Sequence, residues 1–271
     1  MKTLKLLFSV VLIFAIVLAC KKDAEEETPP VDAPVTVTKS SVSAKWDVQG
    51  DSDFTTFEFN ESGTYVVVKS SPDKEITEDI ILFGSYTIDG SLMILENFGT
   101  LKVKSLTDVQ MTFAIKLLTE TDYGDDLVAN KSEELPATTN TQLLCRTWKL
   151  VTLNGDSVAG TQNELVMVFY SSGTYVVTYV DSDELEGGLA QWKWKDSAED
   201  VMCYSWDGEP DCIDEIAVIN QLTNSVLDIS DPSYNYVLVP IVNEKSGQIT
   251  SDLLSFPETV ERVVTPMIFT R

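Results

Sequence analysis

The stretch "SGTYVV" occurs twice in this chain, at Ser62–Val67 and again at Ser172–Val177. Extended backwards, "FEFNESGTYVV" at Phe57–Val67 aligns with "MVFYSSGTYVV" at Met167–Val177, with Phe59 and Phe169 in step. Each copy reads as a β-hairpin. The residues before the turn form one strand, and "TYVV" supplies aromatic and β-branched residues for the next. Gly63 and Gly173 provide the positive φ that a tight connection needs. Landmarks flank both hairpins in the same order. Trp46 in "AKWDV" and Trp148 in "RTWKLV" lie upstream; "VKSLT" at Val103–Thr107 and "INQLT" at Ile219–Thr223 lie downstream. The Trp-to-Gly spacing is 17 residues in the first copy and 25 in the second, the excess falling in the loop-like "NGDSVAGTQNE". The pattern is a tandem duplication of a unit of roughly 100 residues, not a short-period solenoid.

Short runs rich in Val, Thr, Ile, Tyr and Phe fill both halves. Examples are "TTFEFN", "LMILEN" and "VQMTFAIK", then "WKLVTLN", "LVMVFY", "QWKWK" and "IAVINQL". Turn signals such as "NESG", "IDGS", "YSSG" and "DPSYN" separate them. Regular short strands of this kind predict an all-β sandwich or barrel. The polar "LVANKSEELPATTNTQ", Leu127–Gln142, reads as a linker, with Thr139 and Asn140 as N-cap candidates for a short helix through "TQLLCR". "TKSSVSAKW" is its counterpart in the first half. The expected domains are 41–126 and 142–271, joined by a linker at 127–141. The tail beyond Pro240 holds a short helix candidate, "FPETVERVV", and a strand-like "MIFTR".

The N-terminus obeys other rules. "MKTLKLLFSVVLIFAIVLAC" opens with Lys2 and Lys5 and continues as an apolar run, interrupted by Ser9, up to Cys20. A charged start followed by such a run marks a secretory signal, and the run is short for a bilayer span. The following "KKDAEEETPPVDAPV" is charged and then Pro-rich, which predicts a tether over 20–40. Without Lys2 and Lys5 the chain carries 17 basic and 43 acidic residues, a charge of −26. That charge repels phosphates and excludes a nucleic-acid partner.

Cys203 and Cys212 lie nine apart in "CYSWDGEPDC", within reach of a disulfide across a Gly/Pro turn in a secreted chain. Cys145 in "LLCRTW" is left over and reads as a small buried residue. Histidine is absent, which removes Ser-His-Asp and Cys-His catalysis and histidine-based zinc centres. The twelve acidic residues from Asp181 to Glu215 match no EF-hand spacing and read as solvated loops. Paired carboxylates admit a hydrolase, yet nothing singles out a pair. The expectation is a non-enzymatic protein with no cofactor and no metal.

The residues "VLAC" resemble the lipobox of bacterial lipoproteins, and "KKDAEEE" after Cys20 resembles the export signal of Bacteroidetes-type surface lipoproteins. The resemblance implies cleavage after residue 19, acylation of Cys20, and an outer-membrane anchor facing the cell surface or, alternatively, the periplasm. Further on, "LLCRTWKLV" followed by a hairpin with "F-x-x-x-G-T-Y" resembles the opening of lipocalin-like domains in such lipoproteins. It implies two tandem small antiparallel β-barrels, with Trp148 and Trp46 plugging one end of each. A lipocalin has Gly two residues before this Trp; here Arg146 and Ala44 stand there. For the arginine that covers the Trp in that family, Arg271 is the candidate.

An eight-stranded barrel is either filled by side chains or holds one small ligand. Phe169, Tyr175, Tyr179, Trp192 and Trp194 are the candidate lining residues. The expected function is binding of a small apolar or amphipathic ligand. The alternative is an adhesion or assembly module with filled barrels, turned toward an envelope protein or glycan; a carboxylate-dependent hydrolase ranks third.

Overall fold

In a computed structural model of the chain, residues 35–70, 80–179, 187–206 and 208–241 are described. The signal segment, Cys20, most of the tether, and the tail from residue 242 with Arg271 lie outside them. The first unit begins with helix α1 (Lys39–Val42) and strands β1 (Ala44–Val48), β2 (Phe54–Phe59) and β3 (Thr64–Lys69). It continues with β4 (Ile80–Asp89), β5 (Leu92–Leu95), β6 (Gly99–Leu106), β7 (Gln110–Leu117) and β8 (Asp126–Lys131). Each strand is antiparallel to the next, and β8 returns to β1 with Lys131 opposite Trp46, so the sheet closes.

The second unit repeats the plan. It comprises α2 (Thr139–Leu144), β9 (Thr147–Leu153), a two-residue β10 (Asp156–Ser157), β11 (Leu165–Phe169) and β12 (Thr174–Tyr179). Then follow β13 (Gly187–Trp194), β14 (Val201–Ser205), β15 (Ile216–Leu222), β16 (Leu227–Ser230) and β17 (Asn235–Pro240). Strand β10 folds back on β9 inside the longer loop, and β17 closes the remaining eight strands onto β9. The chain therefore forms two tandem eight-stranded antiparallel barrels, all-β as the strand pattern predicts and barrel-shaped as the resemblance implies.

The duplication extends to backbone detail. At the hairpin corner Asn60 N donates to Thr64 O at 3.0 Å and Gly63 N to Asn60 O at 2.9 Å. In the second copy Tyr170 N donates to Thr174 O at 2.9 Å and Gly173 N to Tyr170 O at 3.1 Å. Gly63 and Gly173 have φ of +94° and +84°, a region that Cβ disfavours. The ladder slips by one residue between Val103 and Ser105 in β6, and again between Ile219 and Gln221 in β15. These are the "VKSLT" and "INQLT" landmarks, so each marks a β-bulge that bends the wall.

Three boundaries move. Strand β8 occupies the start of the expected linker, so the first barrel ends at Lys131 rather than at residue 126. Only Ala129 of β8 is buried, which leaves its sequence looking polar although its backbone closes the barrel. The end of the expected tether belongs to the first barrel, because Val37 is buried in its core and Thr38 caps α1. The cap of α2 is Thr138, one residue before the expected candidates. Its extended backbone brings the side-chain oxygen to 3.1 Å from Thr141 N.

Strand β11 is buried on both faces. Leu165, Met167 and Phe169 point into the second barrel, while Val166, Val168 and Tyr170 face the first. An unbroken apolar run such as "LVMVF" is what double burial requires. The outward residues Val66, Ile81 and Phe83 of the first barrel join Val166, Val168, Tyr170 and Val176 in one core between the barrels. The repeated hairpins thus pack against each other. Val66 and Val176, equivalent in the duplication, both contribute, as isologous contacts do.

Candidate functional site

Among the described residues, the barrel interiors and a cleft at their junction are the places considered as a site. In the first interior, Phe57 of β2 meets Phe113 of β7 edge-to-face at 5.1 Å between centroids. Those strands are separated by β1 and β8, so the rings span the interior. Phe98 contacts Phe54 at 5.7 Å, Phe57 at 6.1 Å and Tyr65 at 6.3 Å. In the second, Phe169 stacks on Tyr175 at 5.3 Å and meets Trp192 at 5.9 Å. Tyr175 reaches Trp206 at 5.3 Å, and Trp192 reaches Trp194 at 5.4 Å. Edge-to-face and offset rings at these separations attract beyond their buried area.

The candidate lining residues therefore divide. Phe169, Tyr175 and Trp192 are brought together in the second barrel core. Trp194 is only partly buried, and its indole donates to Thr141 Oγ1 at 2.9 Å, pinning α2. Tyr179 ends β12, with its backbone opposite Leu165. Tyr86 of β4 and Trp192 of β13 act alike: each donates to the carbonyl at the start of its hairpin corner. Tyr86 reaches Asn60 O at 3.0 Å and Trp192 reaches Tyr170 O at 3.2 Å.

Trp46 and Trp148 are equivalent in space as well as in sequence. Each is fully buried and donates its indole N–H to the carbonyl four residues earlier, Val42 O at 2.8 Å and Leu144 O at 2.9 Å. A short helix thereby docks against the first strand of each barrel. Sequence reasoning missed the cation beside Trp148. The guanidinium of Arg146 lies over that ring, 5.5 Å from its centroid. The signal was its place two residues before the Trp, which puts both side chains along one short strand approach. In the first barrel Ala44 leaves this role empty.

Cys203 of β14 is disulfide-bonded to Cys212, which lies in the β14–β15 loop with φ of +64°. The bridge ties the loop to the wall. Cys145 follows α2, and burial pushes its thiol up to about 12, so it stays protonated and unreactive at neutral pH.

The cleft lies where α1, α2 and the first hairpin approach one another. It encloses about 550 Å3 and is lined by residues including Glu58, Asn60, Glu61, Lys131, Glu134 and Tyr170. At its base, Glu58 of β2 is only 2 % exposed. Inward-facing Phe57 and Phe59 aim it out of the first barrel, and the second barrel then covers it. Its carboxylate accepts a hydrogen bond from the Ser172 hydroxyl. Burial raises the carboxyl to about 7, while the Ser172 and Thr174 hydroxyls and the Lys45 charge pull the other way. Tyr170 OH donates to Thr64 Oγ1 at 3.2 Å, and Asn60 Nδ2 donates to Phe169 O at 3.3 Å. The cleft is therefore a polar recess with an acid of raised pKa at its base.

Compared with known proteins, the chain matches no protein-family model and none of the curated sequences.

Proposed function

We propose that this is a non-enzymatic, lipid-anchored lipoprotein of the outer membrane. Its two lipocalin-like barrels are solid and serve as a surface adhesion or assembly module. The observation that carries the reading is the ring packing inside each barrel. Phe57, Phe98 and Phe113 fill the first, and Phe169, Tyr175 and Trp192 fill the second. Interiors closed by their own side chains favour recognition by the outer surface over carriage of an apolar ligand. The anchor rests on the "VLAC" segment and Cys20, and surface placement on the acidic residues that follow.

Native mass spectrometry of the protein purified from its own cells tests the solid-barrel reading. The expected spectrum shows the acylated chain alone. A stoichiometric apolar adduct, released on unfolding, returns the protein to the ligand carriers. Metabolic labelling with a fatty acid should mark the protein and leave a Cys20→Ser variant unlabelled. Protease added to intact cells should release the barrels; full protection would place them in the periplasm.

A further inference from the structure

The duplication supplies an internal control for the cleft. Glu58 and Val168 occupy the same position of the same strand, one residue before Phe59 and Phe169. Both are buried at the junction, at 2 % each. A valine satisfies that position in the second copy, so the fold does not require a carboxylate in the first. Among the described residues Glu58 forms no ion pair, and neither does Glu61 on the cleft wall. The lining cation Lys131 is engaged by Glu134 at 3.1 Å. A buried acid that makes no ion pair, with Lys45 opposite it on β1 as the one cation whose charge lowers its pKa, still costs stability, and such departures from the packing rule concentrate at functional sites. The recess has the volume of a small-molecule site.

We propose that the junction cleft is a binding site for a small hydroxyl-rich molecule bearing a primary ammonium group, with Glu58 as its countercharge. The proposal goes beyond the surface-module reading and does not depend on it. The ammonium sits against the Glu58 carboxylate, and the hydroxyls meet the polar wall, where Glu61 and the Asn60 corner lie. The surplus of carboxylates rejects anions. Binding strengthens as Glu58 ionises. The other groups that face it are Lys45 and Asp47 of β1, the cleft charges Glu61, Lys131 and Glu134, and the Cys145 thiol and Tyr170 phenol. Burial keeps the last two protonated throughout the neutral range.

The test is calorimetric titration of the full chain in detergent with glucamine (1-amino-1-deoxysorbitol) and with sorbitol, which has a hydroxyl in place of the amine. At pH 8 glucamine should bind at least tenfold more tightly than sorbitol, and the preference should shrink at pH 5.5. Glu58→Gln should abolish the preference, whereas Glu164→Gln, on the second barrel, should leave it intact. Ser40→Trp, an exposed substitution at the cleft wall, should block both polyols without unfolding the protein. Absence of glucamine binding, equal affinity for the two polyols, or an undiminished preference in Glu58→Gln overturns the proposal.

Discussion

The two barrels keep one interior and differ at the faces that meet. Inside, equivalent positions hold Trp46 and Trp148, Phe59 and Phe169, Tyr65 and Tyr175, all nearly inaccessible. At the junction the pairs diverge: Glu58 against Val168, and Asn60 against Tyr170. The interior is constrained by register, because a one-residue slip turns every core side chain outward. The outer face has no such constraint until a partner covers it. Once covered, it is as buried as the interior, yet it was free to become polar in one copy and apolar in the other.

Removing each tryptophan in turn tests the interior half of that comparison. Trp148→Ala and Trp46→Ala should each cost about 3–5 kcal/mol, the range for deleting a buried aromatic. Each should also lose the indole bond to Leu144 O or Val42 O. Scanning calorimetry should show losses alike for the two; a large inequality would mean that the barrels do not share one packing scheme.

The junction half is tested by pH. Glu58 titrates near 7 when folded, against about 4.5 in the unfolded chain. Its folded pKa is raised, so the folded state holds the extra proton between those values. Stability falls as pH rises from about 4.5, and the loss is complete above 7. The difference amounts to about 3 kcal/mol. Glu58→Gln should therefore gain stability at pH 8 and little at pH 4.5, read from urea denaturation. Val168→Glu should show the reverse dependence, losing most at pH 8.

A smaller effect separates the two corners. A Cβ at Gly173 would meet Trp192 O at 2.8 Å, a backbone atom that cannot yield, whereas at Gly63 it meets the flexible Lys39 amine. Both pay the positive-φ cost of roughly 1–2 kcal/mol. Gly173→Ala should lose about 1 kcal/mol more than Gly63→Ala in the same denaturation assay. Equal losses would show that the second corner can relax.

What was legible in the sequence was local. The corners, the paired tryptophans, the bulge landmarks and the Cys203–Cys212 bridge each depend on residues near one another in the chain, and their spacing announced them. Glu58 was not legible as a site. In "FEFN" it alternates with inward phenylalanines, which is how a solvated strand face reads; only a second barrel, more than a hundred residues downstream, buries it. Strand β8 hid for a related reason: closing a barrel asks for backbone pairing, and one buried alanine suffices. The double burial of "LVMVF" was the one local hint that something packs on the outside.

Synthesis from the N-terminus completes the first barrel before the second exists. Val66, Ile81 and Phe83 then lie open to water. Glu58 belongs to the same outer face of β2 and β3, and a solvated carboxylate beside an apolar patch is the kind of charge that disfavours aggregation. When the second barrel arrives, its Ser172 hydroxyl takes over from water and burial raises the acid's pKa to about 7. The residue that lowers the stability of the finished protein above pH 7 is thus the one that places a charge beside the apolar face of the half-made one.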